Sequence, residues 1–335
     1  MKVLLICRSF DKNSGQGIYK MAGYLYENLL KYTNIKAEKI DSPNKNPYYF
    51  DLIESPAKTL KNNFFDVYHF LMPEVCLSIL FSKVIREKSI VTIHDAIIYK
   101  IKERKWLSEK YIKLMYNIAK NAKVIITPSH QSKNDLVKFV KINKKKIYVI
   151  PWGIDIRLFR PLQNKKGNDK LIVGYIGGLG KRKNVEWILS LAKNFPESIF
   201  KIAGVGPKLK KLKKLKEKLK LNNVEFAGFV KENGLPRFYN SLNVFIFPSF
   251  YEGFGVPLLE AMACEVPYII GTNAGIGEIL PIYKISKFEE LENILLKIRD
   301  GKLQPLRNQR KWIIKNKLTW KNCVRNLVKV YEEII

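Results

Sequence analysis

Acidic residues are scarce in this chain, and histidine is scarcer still. Its 335 residues hold 60 Lys and Arg against 30 Asp and Glu, with three His, for a formal net charge of +30. Up to residue 155 there are 27 basic and 14 acidic side chains, and 33 and 16 beyond it, so no single tail or domain carries the surplus. Such a field favours an anionic membrane surface, a phosphorylated substrate or nucleic acid. A Lys- and Ile-rich composition also follows from genome bias or a hot habitat, with no partner involved. Asp-x-Asp is absent, which removes the usual carboxylate pair for a divalent metal. The four cysteines, Cys7, Cys76, Cys264 and Cys323, stand far apart in apolar surroundings. That spacing argues against a paired metal site or a disulfide framework, and the thiols are expected to be reduced and in the core. No apolar run approaches the roughly 18 residues of a membrane-spanning helix. Met1 to Ile6 is too short for a signal peptide's apolar core and is soon followed by Arg8. A soluble cytoplasmic protein is the expectation, with peripheral contact to an anionic inner membrane as one use of the charge.

What is present is apolar and alternating. With 47% hydrophobic residues, the chain is long enough for two α/β domains, each with its own core. Short β-branched and aromatic runs predict strands at 2–7, 67–70, 90–93, 124–127 and 147–150, with a helix over 18–32 after the first. A polar stretch, 163–170, reads as a linker. A second series follows at 171–176, 200–203, 224–227, 244–247 and 268–270. The densest lysine run, 208–220, carries Leu209, Leu212, Leu215 and Leu219 at helical spacing, the pattern of a surface helix with a solvated face. From Leu318 onward an amphipathic helix places Val324, Leu327, Val328 and Tyr331 on one side.

Four places in this pattern offer chemistry. Residues 248–260, PSFYEGFGVPLLE, set Glu252 and Glu260 either side of a glycine turn. Pro248 ends a strand, Gly253 and Gly255 admit close approach of a ligand, and Pro257 suits the first turn of a helix whose leading amides favour an anion or a sugar hydroxyl. On local physics alone the two acids serve equally well as caps and solvated side chains. In Tyr175 to Asn184, YIGGLGKRKN, a strand runs into glycines and then three cations, a meeting of amides and guanidinium chemistry suited to a phosphate. The plainer alternative is a solvated basic turn. Ser14 to Tyr19, SGQGIY, is a glycine turn feeding a helix, and many α/β proteins begin this way. His94 follows a strand in VTIHD, at the carboxyl end where open α/β sheets bind ligands. A lone histidine there is as often structural as catalytic, and Asp95 either orients its ring or caps the next segment. His69 also ends a strand and is a second candidate for such a wall; His130 carries no functional assignment.

Taken together these strings resemble the retaining glycosyltransferases of family 4, also called glycosyl transferases group 1. The resemblance rests on Glu-x7-Glu with an internal Gly-Phe-Gly followed by Glu-Ala-Met-Ala, on Arg-Lys-Asn after the second-domain glycines, and on the histidine string. It runs over nearly the whole chain, strongest from 171 to 280. It implies a GT-B fold, two Rossmann-like doubly wound domains facing a cleft, over 1–162 and 163–317, with the C-terminal helix, about 318–335, crossing back to the first. It assigns Glu252 to hydroxyls of the transferred sugar and Glu260 to the nucleotide ribose. Arg182 and Lys183 fall on the diphosphate, His94 on the sugar, and Gly15 and Gly17 on the loop over the phosphates. Gly178, Gly204, Phe229, Val230, Gly253, Phe254, Gly255 and Val256 complete the donor site, with backbone groups near Phe229 and Val230 at the base edge. Gly275, Gly277 and Glu278 match a later loop of structural role. Where the family's more widespread pattern has an arginine this chain has Gly178, and Lys181 is a candidate replacement. The implied reaction moves a hexose, with retention and without a metal or other cofactor, from GDP-mannose or UDP-glucose to a glycan, glycolipid or protein-glycan acceptor. Charge alone suggests an alternative, a nucleic-acid-modifying or nucleic-acid-binding protein on the same fold, which requires a basic groove and steeply salt-dependent DNA affinity. A catalytically silent binding subunit would be expected to have lost His94, Glu252 or Lys183, and all three are present.

Overall fold

The computed structural model describes residues 1–42, 46–62, 64–101, 106–162 and 170–335. The chain divides into two compact units, Met1–Gly153 with Leu318–Ile335, and Ile154–Lys317.

The first unit holds a six-stranded parallel sheet in the order β2-β1-β3-β4-β5-β6. Its strands are β1 Lys2–Ile6, β2 Lys36–Ile40, β3 Val67–Phe70, β4 Ser89–Thr92, β5 Val124–Thr127 and β6 Ile147–Val149. β3, β4 and β5 are buried along their full length, which is why they read as plain apolar runs. β2, KAEKI, buries only Ile40 fully; as a polar edge strand it leaves no such run, and the sequence pattern does not announce it. The unit's longer helices are α1, Gly17–Tyr32, α2, Trp106–Ala119, and the C-terminal α6, Trp320–Glu332. α1 packs against α6. Trp320 stacks on Tyr24 with ring centroids 5.3 Å apart, and a Cβ on Gly153 would lie 2.1 Å from the Trp320 amide nitrogen. The buried face of α6 is completed by Val330 rather than Val328.

His69 lies inside this core, 1% exposed, so it is no wall of a ligand site. Its Nδ1 is 2.7 Å from the Tyr331 hydroxyl and its Nε2 is 2.7 Å from Thr92 Oγ1, tying β3 to β4 and α6. Burial, helped by the nearby His94, depresses its pKa to about 3. The unfolded chain therefore takes up a proton that the folded one refuses, so stability is full above the ordinary histidine range and drains away as the pH falls from about 6.5 towards 3. Thermal unfolding followed across that window should show a slope contributed by this residue, up to about 1.4 kcal/mol per pH unit, and His69→Gln should flatten it.

The second unit has the order β12-β11-β10-β7-β8-β9, again all parallel. The strands are β7 Ile172–Ile176, β8 Ile199–Ala203, β9 Val224–Gly228, β10 Val244–Phe247, β11 Tyr268–Gly271 and the two-residue edge β12 Tyr283–Lys284. Helix α3, Glu186–Asn194, follows β7, and the lysine-rich run forms α4, Leu209–Lys218, with Leu212 buried. Residues 154–162, which the family resemblance places in the first domain, belong to this unit. Phe159 is fully buried and meets Tyr239 edge-on, and Arg310 donates to the carbonyls of Phe159 at 2.7 Å and Ile156 at 2.9 Å. The expected linker, 163–170, lies outside the described residues but for Lys170.

Each sheet reverses its winding between two neighbouring strands, β1 and β3 in the first unit and β7 and β10 in the second. At such a switch point the loops leave in opposite directions and open a crevice beyond the carboxyl ends, where doubly wound folds hold ligands.

Candidate active site

In the second unit the switch point brings together the two strings singled out in the sequence. After β7 the chain turns through Gly177 and Gly178 into a short turn at Lys181–Lys183, closed by Asn184 in the left-handed region and followed by α3. After β10 it runs through Ser249 and Phe250 to Glu252, and Gly255, with φ of 95°, opens helix α5, Val256–Ala263. The Phe250 amide donates to the Arg182 carbonyl at 2.9 Å, so the loops are bonded through their main chains.

Their side chains meet at one oxygen. Lys183 Nζ donates to Glu252 Oε1 at 2.5 Å and Arg182 Nη1 to the same atom at 2.6 Å. Arg182 also donates to the Tyr251 carbonyl at 2.9 Å, and the Lys183 ammonium lies 4.7 Å from the centre of the Phe247 ring. Glu252 and Lys183 are buried and Arg182 is half-buried. Burial alone would raise the Glu252 carboxyl, but the Lys183 ammonium and then the Arg182 guanidinium outweigh it and hold the group below its usual range. The cluster is an ion triad with one carboxylate and two cations, a net positive charge at the switch point. Lys181, the candidate for the missing family cation, is exposed on the same turn.

The glycines divide by function. Among the described residues Gly178 has only the Val205 carbonyl near its missing Cβ, at 3.9 Å, which leaves its backbone open to close approach. At Gly204, φ is 131° and a Cβ would fall 1.9 Å from the Gly177 carbonyl oxygen; its smallness lets the two glycine loops pack on one another. The Gly204 amide in turn donates to the Gly228 carbonyl at 2.6 Å, which draws in the end of β9 with Phe229, exposed, and Val230, half-buried. In the first unit a Cβ on Gly17 would meet nothing within 4 Å among the described residues, and its φ is ordinary, while Gly15, with φ of 77°, shapes an exposed turn. Gly204→Ala is therefore expected to cost roughly 3 kcal/mol through strain and collision. Gly17→Ala should leave unfolding within about 0.5 kcal/mol of the parent, and paired thermal melts check both.

Glu260 lies deeper than Glu252, 2% exposed, and its Oε2 accepts from the Tyr239 hydroxyl at 2.7 Å. Burial and then this carboxylate push the Tyr239 pKa far up, which keeps the hydroxyl a donor. Phe254 and Gly253 are buried, Val256 is half-buried, and the Phe254 carbonyl accepts from the Ile276 amide at 2.6 Å. A Cβ on Gly275 would meet that carbonyl at 2.4 Å, which is what the later glycine turn is for.

The first unit places His94 beyond β4. Its Nε2 donates to the Leu71 carbonyl at 3.0 Å, a geometry that leaves Nδ1 with the lone pair. Burial lowers the ring's pKa, against the pull of the Leu71 carbonyl and Asp95. Asp95 itself caps the next turn, accepting from the Ile97 amide at 2.9 Å. His94 packs against Trp152, with ring centres 5.5 Å apart, and Trp152 against Trp320 at 6.2 Å. Sequence reasoning missed what Trp152, Tyr239 and Arg8 do. Arg8 ends up in a fork with the fully buried Asp51, which also accepts from the Tyr111 hydroxyl at 2.8 Å. None of the three lies in a recurring string, and each acquires its partner only through the folding of distant segments.

Known proteins resemble this chain in family and in fold. The model for Glycosyltransferase Family 4 matches residues 1–158 and that for Glycosyl transferases group 1 matches residues 159–317. A probable sucrose-phosphate synthase of Thermosipho melanesiensis is 28% identical over 234 residues, 64% of this chain; the chain spans about half of that relative's length, 55%. Among solved structures, sucrose-phosphate synthase from Thermosynechococcus elongatus superposes with a TM-score of 0.82 at 19% identity, covering 99% of this chain and 98% of that one. Anabaena HepE, in a structure with UDP and glucose, gives 0.80 at 17% identity over 99% of this chain and all of its own. The two α/β units with parallel six-stranded sheets thus have the GT-B fold, and with the two family models together spanning residues 1–317, the chain belongs to glycosyltransferase family 4.

Proposed function

We propose that this protein transfers a hexose, with retention of configuration and without a metal, from a nucleotide-diphosphate sugar to a glycan or lipid-linked acceptor. The observation that carries the reading is the Arg182–Lys183–Glu252 triad at the switch point of the second unit. The two cations receive the diphosphate, whose charge grows as the bond from its oxygen to the sugar's C1 breaks, and cations fixed in advance, Lys183 buried and Arg182 half-buried, stabilise that charge without reorganisation. Glu252, held ionised, accepts from hydroxyls of the sugar. Glu260, oriented by Tyr239, takes the ribose hydroxyls, and the open backbone at Gly178 lets the phosphates approach. The acceptor oxygen bonds to C1 on the face from which the diphosphate leaves, and its proton passes to the departing phosphate oxygen. No side chain is asked to form a covalent intermediate. His94, which the family resemblance assigns to the transferred sugar, is neutral, and with Nε2 committed to the Leu71 carbonyl its Nδ1 is able to accept from a hydroxyl.

The sequence has no Asp-x-Asp, and Arg182 and Lys183 supply the positive charge such a pair would recruit. UDP-glucose and GDP-mannose are the donors proposed: HepE holds UDP and glucose, and the Arg-Lys-Asn string leans the resemblance toward GDP-mannose. The anomeric proton of the product, followed by NMR with EDTA present, tests the stereochemistry. An α-linked product from an α-linked donor is expected, and a β-linked product or abolition by EDTA refutes it.

A further inference from the structure

One side of the first unit is built inside out. The helical stretch Pro47–Lys61 buries three polar residues alongside Phe50 and Pro56, with Asp51, Ser55 and Thr59 all at 0% exposure, while Lys58 and Lys61 stay exposed. Asp51 is held by Arg8 and Tyr111, Ser55 donates to the Val75 carbonyl at 3.3 Å, and Thr59 donates to the Ser55 carbonyl at 2.7 Å. To solvent it presents Tyr49, Leu52, Ile53 and Leu60, between 37% and 56% exposed. That is the reverse of what burial of apolar area favours.

The neighbouring segments repeat the inversion. Phe81, just after the turn Leu77–Leu80, is 65% exposed. Helix α2 turns Trp106 and Leu107 outward at 64% and 73%. These segments pack on one another, with Tyr48 set edge-on to Tyr111 at 5.3 Å and its hydroxyl 3.4 Å from Ser108 Oγ. Of the 20 large hydrophobic residues exposed among the described residues, 12 fall between Tyr48 and Leu114, so exposed apolar side chains are concentrated in these segments, which points to an interaction surface more than singly scattered residues would.

Its rim is basic. Glu54, Glu87 and Glu109 are each paired with a lysine of the same helical segment, and Lys61, Arg86 and Lys110 add positive charge beyond those pairs. Lys110 Nζ lies 3.8 Å from the centre of the Trp106 ring, an amphipathic pair suited to the boundary between headgroups and acyl chains. No helix among the described residues is long and apolar enough to cross a membrane.

We propose that this face of the first unit lies on an anionic lipid surface. The apolar tips enter the headgroup boundary and the Lys and Arg side chains meet the lipid phosphates. A second copy of the chain is a poorer occupant, since each carries a net charge of +30 and joining two such faces sets one basic rim against another. The proposal deepens the lipid-linked acceptor reading, and its test uses no donor, so either fails without the other.

Full-length protein is sedimented with vesicles of phosphatidylcholine alone and of phosphatidylcholine with about one-third phosphatidylglycerol, enough anionic lipid to set up a surface potential. Binding is expected only to the anionic vesicles, together with a blue shift of Trp106 emission that is lost in Trp106→Phe. The combined variant Leu52→Ser, Ile53→Ser, Leu107→Ser, altered only at exposed positions, should keep its thermal melt and bind at least about tenfold more weakly. Ile314→Ser, an exposed apolar position in the second unit, serves as the control and should bind as the parent does. Equal binding by parent and combined variant, or no binding to anionic vesicles, overturns the proposal. So does a self-association that the combined variant abolishes while vesicles have no effect.

Discussion

Lys183→Ala is expected to lower the rate of sugar transfer by about 10²–10³-fold, the loss that follows removal of one preorganised donor to a developing charge. Lys183 is the more deeply buried cation of the triad. It sits on the turn after β7, over the Phe247 ring and against Glu252, with little freedom to be replaced by water or by a neighbour. Arg182 still covers the same carboxylate oxygen in the variant. The cost to folding should therefore stay within roughly 1.5–3 kcal/mol, the range for a hydrogen bond to a charged group. A variant that loses no more stability than this, stays folded at the assay temperature and yet has lost its transfer rate separates the electrostatic role from a structural one. Rates within about threefold of the parent would sink the assignment, since so small a change is far below the loss of a preorganised donor.

Glu252→Gln is expected to fail differently. The substitution keeps the shape but leaves Lys183 and Arg182 side by side with no counter-charge, and breaking a buried pair in this way costs about 3 kcal/mol. A nucleoside diphosphate supplies the missing negative charge, so it should raise the melting temperature of the variant by more than it raises that of the parent. Transfer should still fall by about 10²-fold, because no carboxylate remains for the sugar hydroxyls. The pH behaviour distinguishes it further. With its pKa held below the usual value, Glu252 contributes stability that is present above the ordinary carboxylate range and lost as pH falls through the lowered value. Acid unfolding of the second unit should show that loss in the parent and not in the variant.

Much of the fold is legible in the sequence because the relevant residues are contiguous. Buried parallel strands read as plain apolar runs, and the two loops that build the triad each carry their glycines, prolines and charges within a short string. The exposed edges β2 and β12 are not legible, since half-solvated strands lose the apolar signal. The partners of the site residues are hidden for another reason. Tyr239 reaches Glu260 from 21 positions away, and Trp152 meets Trp320 only after the chain has traversed the whole second unit. The meeting of both cations on a single Glu252 oxygen is equally invisible, because spacing along the chain does not say which of two neighbouring cations a carboxylate will choose. Gly204 reads in its string as room for a ligand, whereas the nearest neighbour of its missing Cβ is the Gly177 carbonyl.

The most direct test is release of nucleotide from a panel of UDP- and GDP-sugars in the presence of EDTA, by the parent, Lys183→Ala and Glu252→Ala. Turnover of one donor that survives EDTA and disappears in both variants is the expected result. Turnover that needs a divalent metal, or that persists in both variants, would contradict metal-independent transfer at the triad; no turnover of any donor alongside tight, salt-dependent DNA binding would favour the nucleic-acid alternative.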